Sequence, residues 1–390
     1  MHSVMIYVQH LLGIGHLMRA RRLAEALAAH GFDVHLVSGG MPIGGRLPRG
    51  VRTVQLPPIR VSDASFTPLR DANFEPIDDA YRDRRRALLL TAYEAARPSA
   101  VLFETFPFGR RSLRFELFPL LERIDATRPR PLVIASIREI LQVQQKPVRE
   151  REMLEWAARF VDAIFVHGDP RFARFEDTFS FADELTPPVH YTGFVPGDGA
   201  DNAANDGQLR DEVVVSAGGG GVGIALLAAA LAAQQHSRFG HLTWRVLAGP
   251  NIAEAGLARL RAHAGPNAVV ERSRVDFAEL LRRAFISISQ AGYNTTMDVM
   301  TSGTRPVVVP FTGNGETEQR ARGERLRDFG LAVIVDDRTL TPETLARAVD
   351  EAGTRAGFAG WNFDSDGATR TAALLAGMLG MGAVDAKTAA

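Results

Sequence analysis

Short apolar runs alternate with amphipathic stretches along most of this chain. Residues 4–8 are uninterruptedly apolar, residues 9–15 form a loop with two glycines, and residues 16–30 place Leu17, Ala20, Leu23, Ala24 and Leu27 on one helical face. Gly31 ends that helix, and residues 32–37 are a second strand before Gly39 and Gly40. Strand, loop, helix, strand is the opening βαβ unit of a doubly wound sheet. The pattern predicts an edge strand at 51–56, a long mixed loop at 57–76 and a helix at 78–96. It goes on with strands at 100–104, 132–136, 163–166 and 189–192, and helices at 115–123 and 150–160.

Residues 195–210 break the pattern, being rich in Gly, Asn, Asp and Ala with almost no large apolar side chain. The rhythm then restarts. Strands are expected at 212–216, 243–248, 268–271, 285–289, 306–309 and 332–335. Helices are expected at 224–233, 253–264, 276–284, 292–302, 318–329, 342–352 and 368–379. The domain reading is an N-terminal Rossmann-like half at 1–195, a linker at 196–210, a C-terminal Rossmann-like half at 211–355 and a terminal segment at 356–380.

Composition adds exclusions. Apolar residues make up 46% and charged residues 23%, so each half has material for a core. The 45 basic and 45 acidic residues cancel, which argues against a general electrostatic hold on nucleic acid. Cysteine is absent, which removes disulfide, thiolate and cysteine–zinc chemistry and fits a cytoplasmic setting. The N-terminus reads as a strand and lacks a basic, then apolar, leader pattern. No stretch approaches the roughly 18 apolar residues of a membrane span. The arginine-rich stretch 82–86 reads as a solvated charged face or as a peripheral contact with anionic lipid. Phe106, Phe108, Phe115 and Phe118 form either an apolar acceptor surface or a core.

Four loops between a strand and a helix are placed to carry chemistry, because such loops lie at the carboxyl ends of strands where helix N-termini offer N–H groups. The first is Gly13-Ile14-Gly15-His16, with Arg19 one turn on. His16 has an imidazole suited to general-base work near neutral pH, or it merely starts and packs the helix. The second is Ser216 to Gly223, with Gly218, Gly219 and Gly220, either a phosphate cradle that lacks the Lys-Ser/Thr of a P-loop or a flexible turn. The third runs from Ser289 to Asp298. There the N–H groups of Asn294, Thr295 and Thr296 after Gly292 suit a pyrophosphate, and the Asp298 carboxylate suits a ribose diol or simply the helix dipole. The fourth precedes Glu318 and Gln319, which suit sugar hydroxyls or a helix cap. Glu104, Arg138, Glu139 and His167, at strand ends of the first half, either line an acceptor pocket or make buried structural contacts. No metal-binding motif is present, and neither a metal nor a cofactor is expected.

Together these loops resemble the inverting glycosyltransferases of the GT-B fold, in the group of the bacterial N-acetylglucosaminyl transferases that complete lipid II. Gly13 to His16 with Arg19 is similar to that group's first glycine loop. Arg274-Val275-Asp276-Phe277 resembles its nucleobase-contacting loop, with Val275 and Phe277 carried over. Residues 290–298 resemble its Ser/Gly-Gly-x-x-Thr-x-x-Glu stretch, with Asp298 in place of the usual glutamate. Glu318-Gln319 is similar to the pair that holds the donor sugar. The resemblance covers 210–350 well, the first 40 residues fairly and 50–200 little. It implies two Rossmann-like doubly wound α/β domains facing across a cleft, with a nucleoside diphosphate sugar, by default a UDP-sugar, on the C-terminal half. It also implies an acceptor on the N-terminal half, inversion at the anomeric carbon with His16 as base, and leaving-group charge met by helix N-termini. The first loop is also similar to the GxGHxxR start of a sugar-nucleotide hydrolase of sialic-acid-like pathways, where the histidine activates water. Nucleotide-sugar 2-epimerisation on the same fold, for which no motif is present, and a non-catalytic nucleotide-sugar binder are the remaining alternatives.

Overall fold

The computed structural model describes residues 1–381 apart from 12, 45–46, 62–67, 145, 198–209, 219–222, 251, 275 and 356–359. Most of the expected linker therefore lies outside the described residues, as do Gly219, Gly220 and Val275 among the expected donor contacts. The chain divides into two compact units, Met1–Val195 with the stretch from Phe363 onward, and Pro196–Asn362.

The first unit is an all-parallel sheet of β1 (Ser3–Val8), β2 (Asp33–Ser38), β3 (Val51–Gln55), β4 (Ala100–Glu104), β5 (Leu132–Arg138), β6 (Ala163–His167) and β7 (Val189–Tyr191). Their order is β3-β2-β1-β4-β5-β6-β7. Central strands of a parallel sheet are covered on both faces, which is why β1, β4 and β6 are continuous apolar runs. The two-residue period of β1 sorts its side chains. Val4, Ile6 and Val8 face the core formed with α1 (Gly15–Ala29) and α11 (Gly367–Met378), through Leu17, Leu23, Leu27 and Leu375. Met5 and Tyr7 face the opposite core, which holds Leu89 of α2 (Asp79–Ala96), Leu117 and Leu120 of α3 (Arg114–Ala126) and Leu154 of α4 (Pro147–Phe160). Phe106 and Phe108 are buried in that core and Phe115 and Phe118 pack against it, so these rings are core material and not an acceptor surface.

The charged face read at 82–86 needs one correction. Arg82 and Arg86 are solvated and pair with Asp79 and Asp83 one turn before them. Arg85 is fully buried. It bonds to Glu116 at 2.8 and 2.7 Å, to Gln9 Oε1 at 3.0 Å and to the Gly39 carbonyl at 3.0 Å, while the Tyr7 hydroxyl donates to Glu116 at 2.5 Å. The cause is helical period: Arg85 shares the inward face of α2 with Leu89 and Ala92.

The second unit repeats the plan with β8 (Glu212–Ser216), β9 (Thr243–Ala248), β10 (Ala268–Arg272), β11 (Ala284–Ser289), β12 (Arg305–Val308) and β13 (Val333–Ile334). All pairs are parallel, in the order β10-β9-β8-β11-β12-β13. The helices are α5 (Ile224–Ala233), α6 (Glu254–Ala262), α7 (Phe277–Arg283), α8 (Tyr293–Ser302), α9 (Glu318–Asp328) and α10 (Pro342–Thr354). Thr341 starts α10 with a capping box to Thr344. In both units the chain order reverses between the first and fourth strands, β1/β4 and β8/β11. That switch point, at the carboxyl ends of the strands, opens the crevice where doubly wound sheets bind ligands.

Candidate functional site

In the first unit the switch point carries a carboxylate with several donors. Glu104 is the last residue of β4 and its side chain is only 1% exposed. His16, the second residue of α1, brings Nδ1 to 2.7 Å from Glu104 Oε1. The Arg19 guanidinium bonds the same oxygen from one turn along the helix. Glu104 Oε2 accepts from the Ser136 hydroxyl at 3.2 Å. Register explains this last contact, since Ser136 of β5 pairs directly with Glu104 of β4. Ser136 Oγ in turn lies 2.8 Å from His167 Nε2, and His167 Nδ1 lies 2.9 Å from Thr192 Oγ1.

These contacts assign protons. A carboxylate only accepts, so the Glu104 contact places the His16 proton on Nδ1 and leaves the lone pair on Nε2. His16 keeps one fifth of its side chain exposed, whereas Arg19 and His167 are fully buried. Burial, with a smaller push from the Arg19 charge, lowers the His167 pKa to about 3 and keeps the ring neutral.

The loop leaving β4 is wound tightly over this network. Thr105 and Arg110, at its two ends, adopt left-handed backbone conformations with φ of 75° and 63°. Non-glycine residues rarely do so, and such strain concentrates at functional sites. Thr105 Oγ1 lies 3.2 Å from His16 Nδ1, and Arg110 Nε donates to the Gln9 carbonyl at 2.7 Å. Among the described residues Arg110 has no carboxylate partner within ion-pair distance, and burial pulls its pKa down to about 10. His10, just beyond β1, is 5% exposed, and among the described residues its ring makes no side-chain hydrogen bond. Burial holds its pKa near 4, with a partial offset from the Met41 backbone.

Each residue expected in the first half now has a place. Gly13 and Gly15 lead into α1. His16, Arg19, Glu104 and His167 belong to one bonded chain. Arg19 reaches the site through Glu104 and is closed to solvent. Arg138 is half-buried at the end of β5, and Glu139 beside it is fully buried. Ser136, Thr192, Arg110 and His10 were not singled out from sequence. A polar residue closing an apolar strand is the available signal for Ser136.

In the second unit the switch point is built from backbone. Gly292, with no side chain of its own, caps α8 in an extended conformation. The first helical bond runs from the Thr296 N–H to the Gly292 carbonyl at 2.9 Å. Thr296 is therefore inside the helical ladder, and the leading amides are those of Tyr293, Asn294 and Thr295, one residue earlier than the sequence reading placed them. Among the described residues the Thr296 hydroxyl is buried without a partner. Asp298 lies in the second turn of α8, half-buried. Ser216 closes β8, and a side chain added at Gly218 would stand 3.9 Å from Thr295 Oγ1, so the second and third loops adjoin. Phe277 opens α7.

Helix α9 holds the third loop from behind. Gln319 Oε1 accepts from the backbone N–H groups of Ala291 at 3.1 Å and Phe311 at 3.2 Å. Arg322, fully buried, donates to the Ala291 carbonyl at 2.8 Å and pairs with Glu318 at 3.0 Å. Gln319 therefore clamps two loops with its oxygen and keeps only its amide nitrogen for other use. Glu316, inside the fourth loop but not singled out from sequence, accepts from the N–H groups of Glu318 and Gln319 at the start of α9. Burial, then the Glu318 charge, raises its pKa. Among the described residues no group of three or more acidic or histidine side chains is arranged to hold a metal, and no helix is long and apolar enough to cross a membrane.

Comparison with known proteins follows this division. Residues 227–356 match the glycosyltransferase family 28 C-terminal domain. A UDP-N-acetylglucosamine--N-acetylmuramyl-(pentapeptide) pyrophosphoryl-undecaprenol N-acetylglucosamine transferase from Marinobacter nauticus is 33% identical over 91 residues, 23% of this chain and 25% of that protein. The matched stretches span a quarter or less of the length of the curated relatives. Among solved structures, the glycotransferase of kitacinnamycin is similar with a TM-score of 0.59 and 16% identity, over 96% of this chain and 98% of that one. MurG from Acinetobacter baumannii gives 0.57 and 17%, over 97% and 100%. At these identities the structural likeness establishes the fold, and the chain has the two-domain α/β fold of the GT-B glycosyltransferases.

Proposed function

We propose that this protein transfers a sugar from a nucleoside diphosphate sugar, by default a UDP-sugar, to an acceptor hydroxyl with inversion. The observation that carries the reading is the 2.7 Å bond from His16 Nδ1 to Glu104. It makes Nε2 the basic nitrogen and leaves a negative charge behind the ring to stabilise the imidazolium formed when Nε2 takes the acceptor proton. The deprotonated acceptor oxygen attacks the anomeric carbon, and the bond to the diphosphate breaks with its electron pair. The second unit supplies the donor's side of the reaction. Its family match, the amides of Tyr293, Asn294 and Thr295, and the dipole of α8 suit a diphosphate whose charge grows as it leaves. Asp298 is proposed for the ribose hydroxyls and Glu318 with the Gln319 amide for the sugar.

Hydrolysis is the second reading, because the Gly13-Ile14-Gly15-His16 loop with Arg19 also matches a hydrolase pattern, and a His16–Glu104 pair activates water as readily as an alcohol. Incubation with UDP-, ADP-, GDP- and TDP-sugars, with free nucleotide as readout, tests both. Nucleotide release that requires an added acceptor and disappears in His16→Ala supports transfer. Rapid release in water alone, lost in the same variant, replaces transfer by hydrolysis. Unchanged release in His16→Ala refutes His16 as base.

A further inference from the structure

We infer that His167 is a positioning residue for the base, acting through Ser136 and Glu104 to hold the proton of His16 on Nδ1. The inference rests on the proposed role of His16 and extends it to a residue that touches no reacting atom.

Glu104 lies between His16 and Ser136. The terminal torsion of a glutamate is broad, so the plane of its carboxylate is set by its bonds and not by a rotamer well. Oε1 is shared by His16, Arg19 and, at 3.3 Å, the Thr105 hydroxyl, and Oε2 takes the Ser136 hydroxyl. Ser136 has one hydroxyl proton and two neighbours that can receive it, Glu104 Oε2 and His167 Nε2. If His167 carried its proton on Nδ1, Ser136 would be drawn to Nε2 and the buried carboxylate oxygen would lose this donor. With the proton on Nε2, His167 donates to Ser136, Ser136 donates to Glu104, and the Thr192 hydroxyl donates to Nδ1 across 2.9 Å. The second arrangement ends the chain on a charge, and hydrogen bonds to charged acceptors are roughly twice as strong as neutral ones. Thr192's other acceptors, the Val166 and Gly193 carbonyls, lie at 3.4 Å and compete weakly.

The chain therefore runs one way, Thr192 to His167 to Ser136 to Glu104, across the ends of the four adjacent strands β7, β6, β5 and β4. It uses His167 as one donor and one acceptor, never as a cation. A fully buried imidazole at the end of apolar β6 is costly unless both ring nitrogens are hydrogen-bonded, as they are here.

The test uses the full-length protein carrying His167→Phe, His167→Gln or Ser136→Ala. Nitrogen-15 imidazole spectra report the His16 tautomer, and nucleotide release reports kcat and donor KM. Phe cannot donate or accept, and Ala removes only the linking hydroxyl. Both are expected to shift His16 away from the Nδ1–H form and to lower kcat about tenfold or more with donor KM nearly unchanged, a part of the roughly 100-fold or larger effect of a general base. Gln offers one donor and one acceptor, as neutral His does, and is expected to restore the tautomer and most of kcat. Folded His167→Phe and Ser136→Ala proteins with the wild-type His16 tautomer would overturn the inference. If His167→Phe does not fold, Ser136→Ala decides alone. The tautomer is read without turnover, so this result stands apart from the loss of turnover in His16→Ala that tests the reaction itself.

Discussion

The two units share a strand order and a switch point but equip it differently. The first places side chains there, on the ends of β4, β5, β6 and the start of α1, and links them by hydrogen bonds into a proton-holding chain. The second places backbone there, the leading amides of α8 after a bare glycine cap, braced by side chains of α9. The difference follows from the chemistry proposed for each. Taking a proton at a chosen atom needs an imidazole of defined tautomer, which only side chains provide. Meeting the spread charge of a diphosphate needs several convergent donors and no titratable group, which a helix N-terminus provides.

Removing the centre of each arrangement should separate them most sharply. His16→Ala is expected to lower kcat by roughly 10²–10⁴-fold with donor affinity intact, the span of a lost general base, measured by nucleotide release beside calorimetric UDP binding. Weakened UDP binding in this variant would blur the division. The buried scaffolds come next. Glu116→Gln leaves the buried Arg85 charge without its partner and is expected to cost about 3–5 kcal/mol in urea unfolding. Glu318→Gln, where Glu318 is more exposed beside Arg322, should cost less. Gln319→Leu strips the acceptor from the Ala291 and Phe311 amides, a loss of about 1–3 kcal/mol. Calorimetry should show it as weaker UDP binding, with the His16 tautomer unmoved.

The smallest contrast concerns acid. His167 and His10 have folded pKa values near 3 and 4, below the ordinary 6.5, so the unfolded chain binds the extra protons. Their contribution to stability is complete above pH 6.5 and is lost as pH falls towards 4. Both lie in the first unit. Glu316, in the second, has the opposite sign: its raised pKa means that its burial costs stability as pH rises above 4.5. Hydrogen exchange followed from pH 7 to 5 should therefore show protection falling in the first unit more than in the second. Equal losses would remove the titration contrast.

Local patterns carried much of the fold. The helices and strands of both halves were legible because apolar period distinguishes 2 from 3.6 over each short segment, and Gly13, Gly15 and Gly292 marked the loops. Boundaries moved by a residue or a few, and the leading amides of α8 were read one residue late, because the Thr296 N–H already bonds the Gly292 carbonyl. Arg85 was also within reach, since it falls on the Leu89 face of α2, but a run of charges hid it. Thr192 and Arg322 carried no such mark.

What the sequence determined by itself was therefore the set of elements, the two-part plan and the residues placed at strand ends. Those features depend on neighbours a few positions away. Tertiary structure alone decided which strand ends meet. His16, Glu104, Ser136, His167 and Thr192 are spread over most of the first 192 residues, and they become one chain only because β4 lies between β1 and β5 with Glu104 opposite Ser136. Strand order and register come from burying both faces of a sheet at once, a property of the whole unit. Burial then settled the protonation of His167, because the cost of a charge depends on how much water the fold leaves beside it.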